Sequence, residues 1–462
     1  MNGTHQRLDK DNPLTVFGDK MAQLSMKYMP DASIFAVIFT ILAFVLGLFV
    51  AKQGVMDMVQ YWYKGFWSLL SFSMQIALGV ITGSAIANAP QVKKWIRKVC
   101  DIPKTGPQGA VVAALFGILA HYIHWGLGIV VGAVASLEIA RALRRKGVKF
   151  DYGLIVAAGF TGEMCWHGGL SASVGLTIAQ PGHFLESEMG VIPFVDYLVN
   201  PMNIILLIAF AVIPPIICYF LHPKPEKCPE LRPETIAVLE EPDMNFERFD
   251  PTGASFGERI SHSRILCYLL AALGWVYLIW NFATKGFNLD MDIVNTIFLF
   301  IGLTLYGDLT QYVAAVKNSI GGITGIVFQF PLYGGITGMV QYSGLVDILA
   351  GGLVSISTPF TFYLITFLTA AIVNMFVPSG GGQWAVQGPI AIASAKAMGA
   401  DLLKTSLCVA YGNTWTNLAQ PFWAIATLGI CGLKPKDIMG YTIAIMLLSG
   451  PIFMLGVTFL PV

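Results

Sequence analysis

The sequence predicts an all-α polytopic membrane protein of two inverted-topology repeats, each with a re-entrant helical hairpin and a broken helix. Three observations predict it. Of 462 residues, 55% are hydrophobic and 12% charged, against about 25% charged in an ordinary soluble domain, and the mean hydropathy is +0.66. Basic residues cluster in a few connectors. Units of the same kind recur in the same order in both halves. A net charge of +1 offers no basic face for nucleic acid, so the lipid bilayer is the expected partner. The seven cysteines show no C-x-x-C or zinc-like spacing, so no metal centre or cofactor is expected.

Residues 1–31 form a polar arm without the n-region and short h-region of a cleaved signal peptide. Repeat 1 covers 32–222. Its first spans are Ala32–Ala51 and Phe66–Ala89, about 20 residues being enough to cross a bilayer. A basic connector with Lys93, Lys94, Arg97, Lys98 and Lys104 follows. The apolar stretch Gly109–Ala140 comes next, closed by Arg141, Arg144, Arg145, Lys146 and Lys149. Basic loops belong on the cytoplasmic side, so this segment returns to the side it left. It reads as a hairpin (109–140) with its tip at His121–Gly128. Tyr152–Gln180 holds FTGEMCWHGGLSAS (Phe160–Ser173), too polar and glycine-rich for a plain span, and reads as a broken helix (152–180). Asn203–Leu221 crosses back.

Residues 223–263 read as a cytoplasmic linker and 264–283 as a connecting helix. Repeat 2 covers 287–462, with spans at Met291–Tyr306 and Ile320–Ser343, a hairpin at 360–397, a broken helix at 406–430 and a last span at Tyr441–Leu460. Corresponding features lie about 252–258 residues apart. One extra crossing between the copies inverts the second, an arrangement found in many secondary transporters. With the N-terminus cytoplasmic, only Lys52, Lys64, Lys285, Lys396 and Lys404 of the 28 Lys and Arg residues fall outside. The second hairpin then enters from the opposite side, and the two tips are expected to meet.

The second tip reads VPSGGGQWAVQGP (Val377–Pro389). Non-helical backbone at membrane depth is tolerated where it lines a cavity. Helix N-termini present unpaired N–H groups to an anion, and Gly380, Gly381 and Gly382 let backbone approach a ligand. Substrate-binding candidates are therefore Ser379, Gly380, Gly381, Gly382 and Gln383 here, His124, Trp125 and Gly126 at the first tip, His167 in the first broken helix, and Asn417 and Gln420 in the second. Trp125, Trp166, Trp384, Trp415 and Trp423 flank the motifs, either as pocket walls or as packing. No Lys or Arg falls at mid-membrane depth, which favours a small monoanion over a polyanion. Glu163 is the one deep acidic residue. If helical, it shares a face with His167 at i, i+4, and such a pair can carry a proton. Thr161, Ser171, Asn413 and Thr414 add oxygens for a sodium site, so proton and sodium coupling both stay open.

Together, VPSGGGQWAVQGP, GFTGEMCWHGGLSAS, HWGLG and YGNTWTNLAQPFWA resemble the bacterial short-chain fatty acid transporter family of the AtoE type, from about Leu14 to Val462. The resemblance implies uptake of butyrate- or acetoacetate-like monocarboxylates across the bacterial inner membrane. It also implies inverted repeats, re-entrant hairpins and, as in related anion symporters, elevator motion and often a homodimer. The Ser-Asn-Thr signature of sodium-coupled relatives is absent from both tips, so their sodium ligands do not carry over. Rival expectations are a symporter for a dicarboxylate or amino-acid derivative and, more remotely, an intramembrane enzyme using His124, Glu163, His167 or Ser379.

Overall fold

The computed structural model describes residues 32–462 apart from 241–248, 287, 288, 376 and 378, and its described residues contain no strand. The N-terminal arm (1–31), part of the linker and the first residues of repeat 2 therefore lie outside the described residues. The first half contains α1 (Ala32–Phe49), α2 (Val55–Phe66), α3 (Leu70–Ala87), α4 (Pro90–Cys100), α5 (Gly106–Ile123) and α6 (Trp125–Arg145). Then come α7 (Tyr152–Phe160), the 3-10 turns Thr161–Met164 and Trp166–Gly168, α8 (Ser173–Ala179) and α9 (Pro201–Leu221). Helices α10 (Pro233–Glu240) and α11 (Arg264–Lys285) connect the halves. The second half contains α12 (Met291–Tyr306), α13 (Leu309–Ser319), α14 (Thr324–Tyr342), α15 (Leu345–Ser355), α16 (Phe362–Asn374), α17 (Gly380–Met398), α18 (Leu402–Asn417), α19 (Pro421–Cys431) and α20 (Pro435–Phe459).

Among the described residues, α3, α5, α6, α9, α20 and the stretch Phe256–Lys285 are long and apolar enough to cross a membrane. The sequence reading missed α2, taking Phe66 as the start of a span. Phe66 instead ends a 12-residue helix carrying Asp57, Gln60 and Lys64, and the next helix begins at Leu70. Such a helix is too short to cross and too polar for a hydropathy count to register. Helices α4, α13 and α15 were missed for the same reason of length.

Lengths repeat in order. Helices α1 to α4 have 18, 12, 18 and 11 residues, and α12 to α15 have 16, 11, 19 and 11. Their packing is reciprocal: α1 and α2 lie on α14, while α12 and α13 lie on α3. At the crossing of α2 and α14 no side chain intervenes. A Cβ built on Gly65 would lie 2.3 Å from Gly334 O and 2.7 Å from Gly338 Cα.

The first hairpin is α5 and α6, packed along each other and joined at His124, whose extended backbone (φ −161°, ψ 127°) alone interrupts the helix. Both helices run past the apolar stretch 109–140 into its polar flanks. Thr105 caps α5 by accepting from Gln108 N, and Arg144 and Arg145 close α6, where cations suit the helix dipole. Glycines let α7 into the angle between them: Cβ atoms on Gly117 and Gly132 would lie 2.1 and 2.4 Å from Gly159 O. The second pair is built differently. Helix α16 packs mainly on α18, and α17 packs on α18, α15 and α14 rather than along α16.

The linker carries structure of its own. Leu239 and Thr235 of α10 are buried. Arg141 of α6 donates to Leu239 O at 3.0 Å, Arg144 pairs with Glu240 at 2.8 Å, and Arg232 pairs with Asp437 at the start of α20. The linker thus ties the end of the first hairpin to the last helix.

Candidate functional site

The breaks in α7–α8, α16–α17 and α18–α19 come together around one carboxylate. Glu163 is 1% exposed, in the 3-10 turn that ends α7. His121 Nε2 lies 3.3 Å from Glu163 Oε1, and Asn417 Nδ2 donates to Oε2 at 3.1 Å. His121 Nδ1 lies 2.8 Å from Gly117 O. A carbonyl only accepts, so Nδ1 carries a hydrogen. The contact between Nε2 and Oε1 then needs a second proton, on the ring or on the carboxyl, since two bare lone pairs would repel.

This corrects the expectation of a Glu163–His167 pair. The helix does not continue through Glu163: the chain makes a 3-10 turn to Met164, a kink at Cys165 (φ −113°, ψ −11°) and a second turn at Trp166–Gly168. The i, i+4 face is lost, and a histidine on another element, His121, meets Glu163 instead. His121 fits because Gly128 and Gly162 lack side chains; Cβ atoms there would lie 2.2 and 2.3 Å from its ring.

Beyond Asn417 runs a buried amide network. Asn374, the last residue of α16, has its Nδ2 2.8 Å from Asn413 O, 3.0 Å from Thr416 Oγ1 and 2.9 Å from Asn417 Oδ1. Asn413 Nδ2 donates to Asn374 Oδ1 at 2.7 Å and Gln383 Oε1 at 2.8 Å. Gln383 Nε2 reaches Ala370 O and Gln387 Oε1 at 2.8 and 2.7 Å, and Gln420 Nε2 donates to Asn374 O at 2.8 Å. The structure thus brings together Glu163, Asn413, Asn417, Gln383 and Gln420 from the sequence-derived set. Their hub, Asn374, was missed. The signal was present: it is the only amide side chain between Phe360 and the glycine run. Asn203, equally buried in α9, was missed too; it bonds Gly168 O at 3.0 Å and Tyr411 OH.

At the first tip, His124 Nδ1 accepts from Gly126 N and Leu127 N at 3.2 and 3.4 Å, and its ring lies 4.3 Å from that of Phe298. Trp125 N donates to Ser171 Oγ at 2.9 Å. The Trp125 ring lies 6.0 Å from Trp166 and 5.6 Å from Trp423. At the second tip, Ser379 Oγ accepts from Gly382 N at 3.3 Å. Each glycine faces an aromatic ring. Cβ atoms on Gly380, Gly381 and Gly382 would lie 2.2 Å from His167 Nε2, 2.7 Å from Phe72 Cζ and 2.7 Å from Tyr333 Cδ2. The segment Trp166–His167 stands between the tips, touching Trp125 of one and Gly380 of the other.

The oxygens proposed for sodium are spread out. Thr161 and Thr414 hydroxyls donate to carbonyls of their own helices, Ala158 O at 2.7 Å and Tyr411 O at 3.2 Å, and Ser171 is committed to the first tip. No group of three His, Cys, Asp or Glu side chains among the described residues could hold a metal ion, and all seven cysteines are free.

The sequence matches the family model described as "Short chain fatty acid transporter" over residues 14–460. It is 39% identical over 447 residues to a Haemophilus influenzae protein and 40% identical over 438 residues to an Escherichia coli K12 protein. Each alignment covers 95% of this chain and 98% of the relative, and both relatives carry the name "Putative short-chain fatty acid transporter". Among solved structures, the fold is similar to MtrF of Neisseria gonorrhoeae, described as one of a class of antimetabolite efflux pumps (TM-score 0.55, 15% identity, 95% of this chain and 96% of that one). It is also similar to the YdaH transporter of Alcanivorax borkumensis (TM-score 0.55, 13% identity, 93% and 97%).

Proposed function

This protein belongs to the short-chain fatty acid transporter family, and from that premise we propose that it carries butyrate- or acetoacetate-like monocarboxylates across the bacterial inner membrane together with a proton. Transport as such follows from the family. The proton is our reading, and one observation supports it: His121 and Glu163, buried between three broken elements, meet in a contact that requires a proton between them. Losing that proton leaves an unscreened carboxylate against a lone pair, which is costly away from water, so loading and unloading the proton changes how tightly α5 holds the broken segment. The further titratable groups around the pair are His124 and Cys165. No lysine or arginine belongs to the network, which supports a small monoanion over a dicarboxylate. In this reading the repeated element order is an inverted repeat, and the two helix pairs enter from opposite sides.

The test is counterflow and uptake of labelled butyrate in proteoliposomes, read above protein-free vesicles because butyric acid crosses lipid unaided. An imposed pH gradient, acid outside, should accelerate uptake several-fold and a sodium gradient should not. Glu163→Gln should keep counterflow and lose the acceleration. Drive by sodium alone, or an unaltered pH response in Glu163→Gln, would overturn the proton assignment.

A further inference from the structure

Most buried polar side chains in this core have partners, as they must away from water. Of the exceptions among the described residues, one group stands together, at Trp166, His167 and Asn413. Trp166 Nε1 has no hydrogen-bond partner, and the ring nitrogens of His167 have only a loose pairing with Asn413 Oδ1, outside good hydrogen-bond geometry. His167 is 0% exposed and Trp166 4%, and their rings stack with centroids 3.7 Å apart. Both face the first turn of α17: a Cβ on Gly380 would lie 2.2 Å from His167 Nε2 and 2.7 Å from Trp166 Cη2. The first N–H groups of a 19-residue helix have no acceptor within it and carry the positive end of its dipole.

We infer that His167 and the indole N–H of Trp166 seat the substrate carboxylate at the first turn of α17, and that His167 must leave Gly380 for the substrate to enter. Three donors of different origin then converge on one anion: an imidazole N–H, an indole N–H and backbone amides. In the described conformation the imidazole occupies the anion's place. The approach to Gly380 is too close for a carboxylate between them, so α17 and the Trp166–His167 turn separate on loading. The acyl chain then lies toward Trp125, whose ring is 6.0 Å from Trp166.

This rests on the transport reading above, and the test separates the two. Half-saturation and maximal rate of labelled butyrate counterflow are measured for the full-length wild type, Trp166→Phe, His167→Gln and His167→Ala. Butyramide serves as the uncharged competitor. Trp166→Phe keeps the ring and removes the N–H, and should raise half-saturation about tenfold with little change in maximal rate, one charge-assisted hydrogen bond being worth about that factor. His167→Ala should raise it about a hundredfold, and His167→Gln, which restores a donor, should recover about tenfold of that loss. The preference for butyrate over butyramide should fall in step. Unchanged half-saturation and unchanged preference in Trp166→Phe and His167→Gln would overturn the inference, as would a fall in maximal rate alone. If His167→Ala does not fold, the two conservative variants decide. A wild type without butyrate counterflow would sink the substrate reading and this inference with it, a result that no variant can produce.

Discussion

The two helix pairs occupy corresponding places in the two halves, yet their breaks are held in different ways. The first turns on a single residue. His124 caps its own helix, Ser171 takes the Trp125 amide, and α5 and α6 run together along their length. The second breaks between α16 and α17, and its arms diverge onto α18. Its glycines are each faced by a ring from another element, and its first arm ends at Asn374, which is bonded to the second broken helix. A tip capped by its own histidine, with arms packed along each other, stays with its arms even where other elements touch it. A tip braced from outside follows whatever braces it. The difference teaches that two helix pairs in the same order along the chain can divide the work, one held as frame and the other leaning on its surroundings.

Three substitutions sharpen or break that contrast. Gly381→Leu puts a side chain where Phe72 Cζ already lies, 2.7 Å from the new Cβ, and should lower butyrate uptake about a hundredfold or more while the protein still inserts, since overpacking at a tight site forces backbone shifts; near-normal uptake would show that the second tip tolerates displacement. Asn374→Ala strips the hub, leaving Asn413 Nδ2 with Gln383 Oε1 alone and Asn417 Oδ1 without the Asn374 donor, and should lower stability by about 3 kcal/mol, read as a depressed thermal midpoint in detergent. Ser171→Ala removes one acceptor at the first tip and should cost only about 1 kcal/mol, with counterflow within about threefold of wild type. If Ser171→Ala proved as damaging as Asn374→Ala, the first tip would be no more self-sufficient than the second.

Much of this was legible in the sequence. Hydropathy and basic flanks marked the first hairpin, and glycine-rich polar runs at Phe160–Ser173 and Tyr411–Trp423 marked both broken helices, because a span that must satisfy its backbone internally shows its interruptions. Short helices such as α2 and α13 stayed hidden, since a helix that crosses nothing need not be uniformly apolar. Glu163 stood out as an isolated acid, but its partner did not. Periodicity relates residues on one helix, whereas His121 reaches Glu163 across elements through space left by Gly128 and Gly162. The glycine run was read as room for a ligand, and the structure gives it a second duty: the missing side chains admit His167, Phe72 and Tyr333. Asn374 was hidden for a plainer reason, as a lone amide in an apolar stretch gives no pattern.

The crossing of α2 and α14 sets a mechanical condition on all of this. Where Gly65 meets Gly334 and Gly338, main chain rests on main chain. A joint of that kind has no rotamers to rearrange and no side-chain volume to trade, so it behaves as a bearing rather than a gasket. Movement that opens the polar centre to one side or the other must turn about such a bearing or leave it undisturbed.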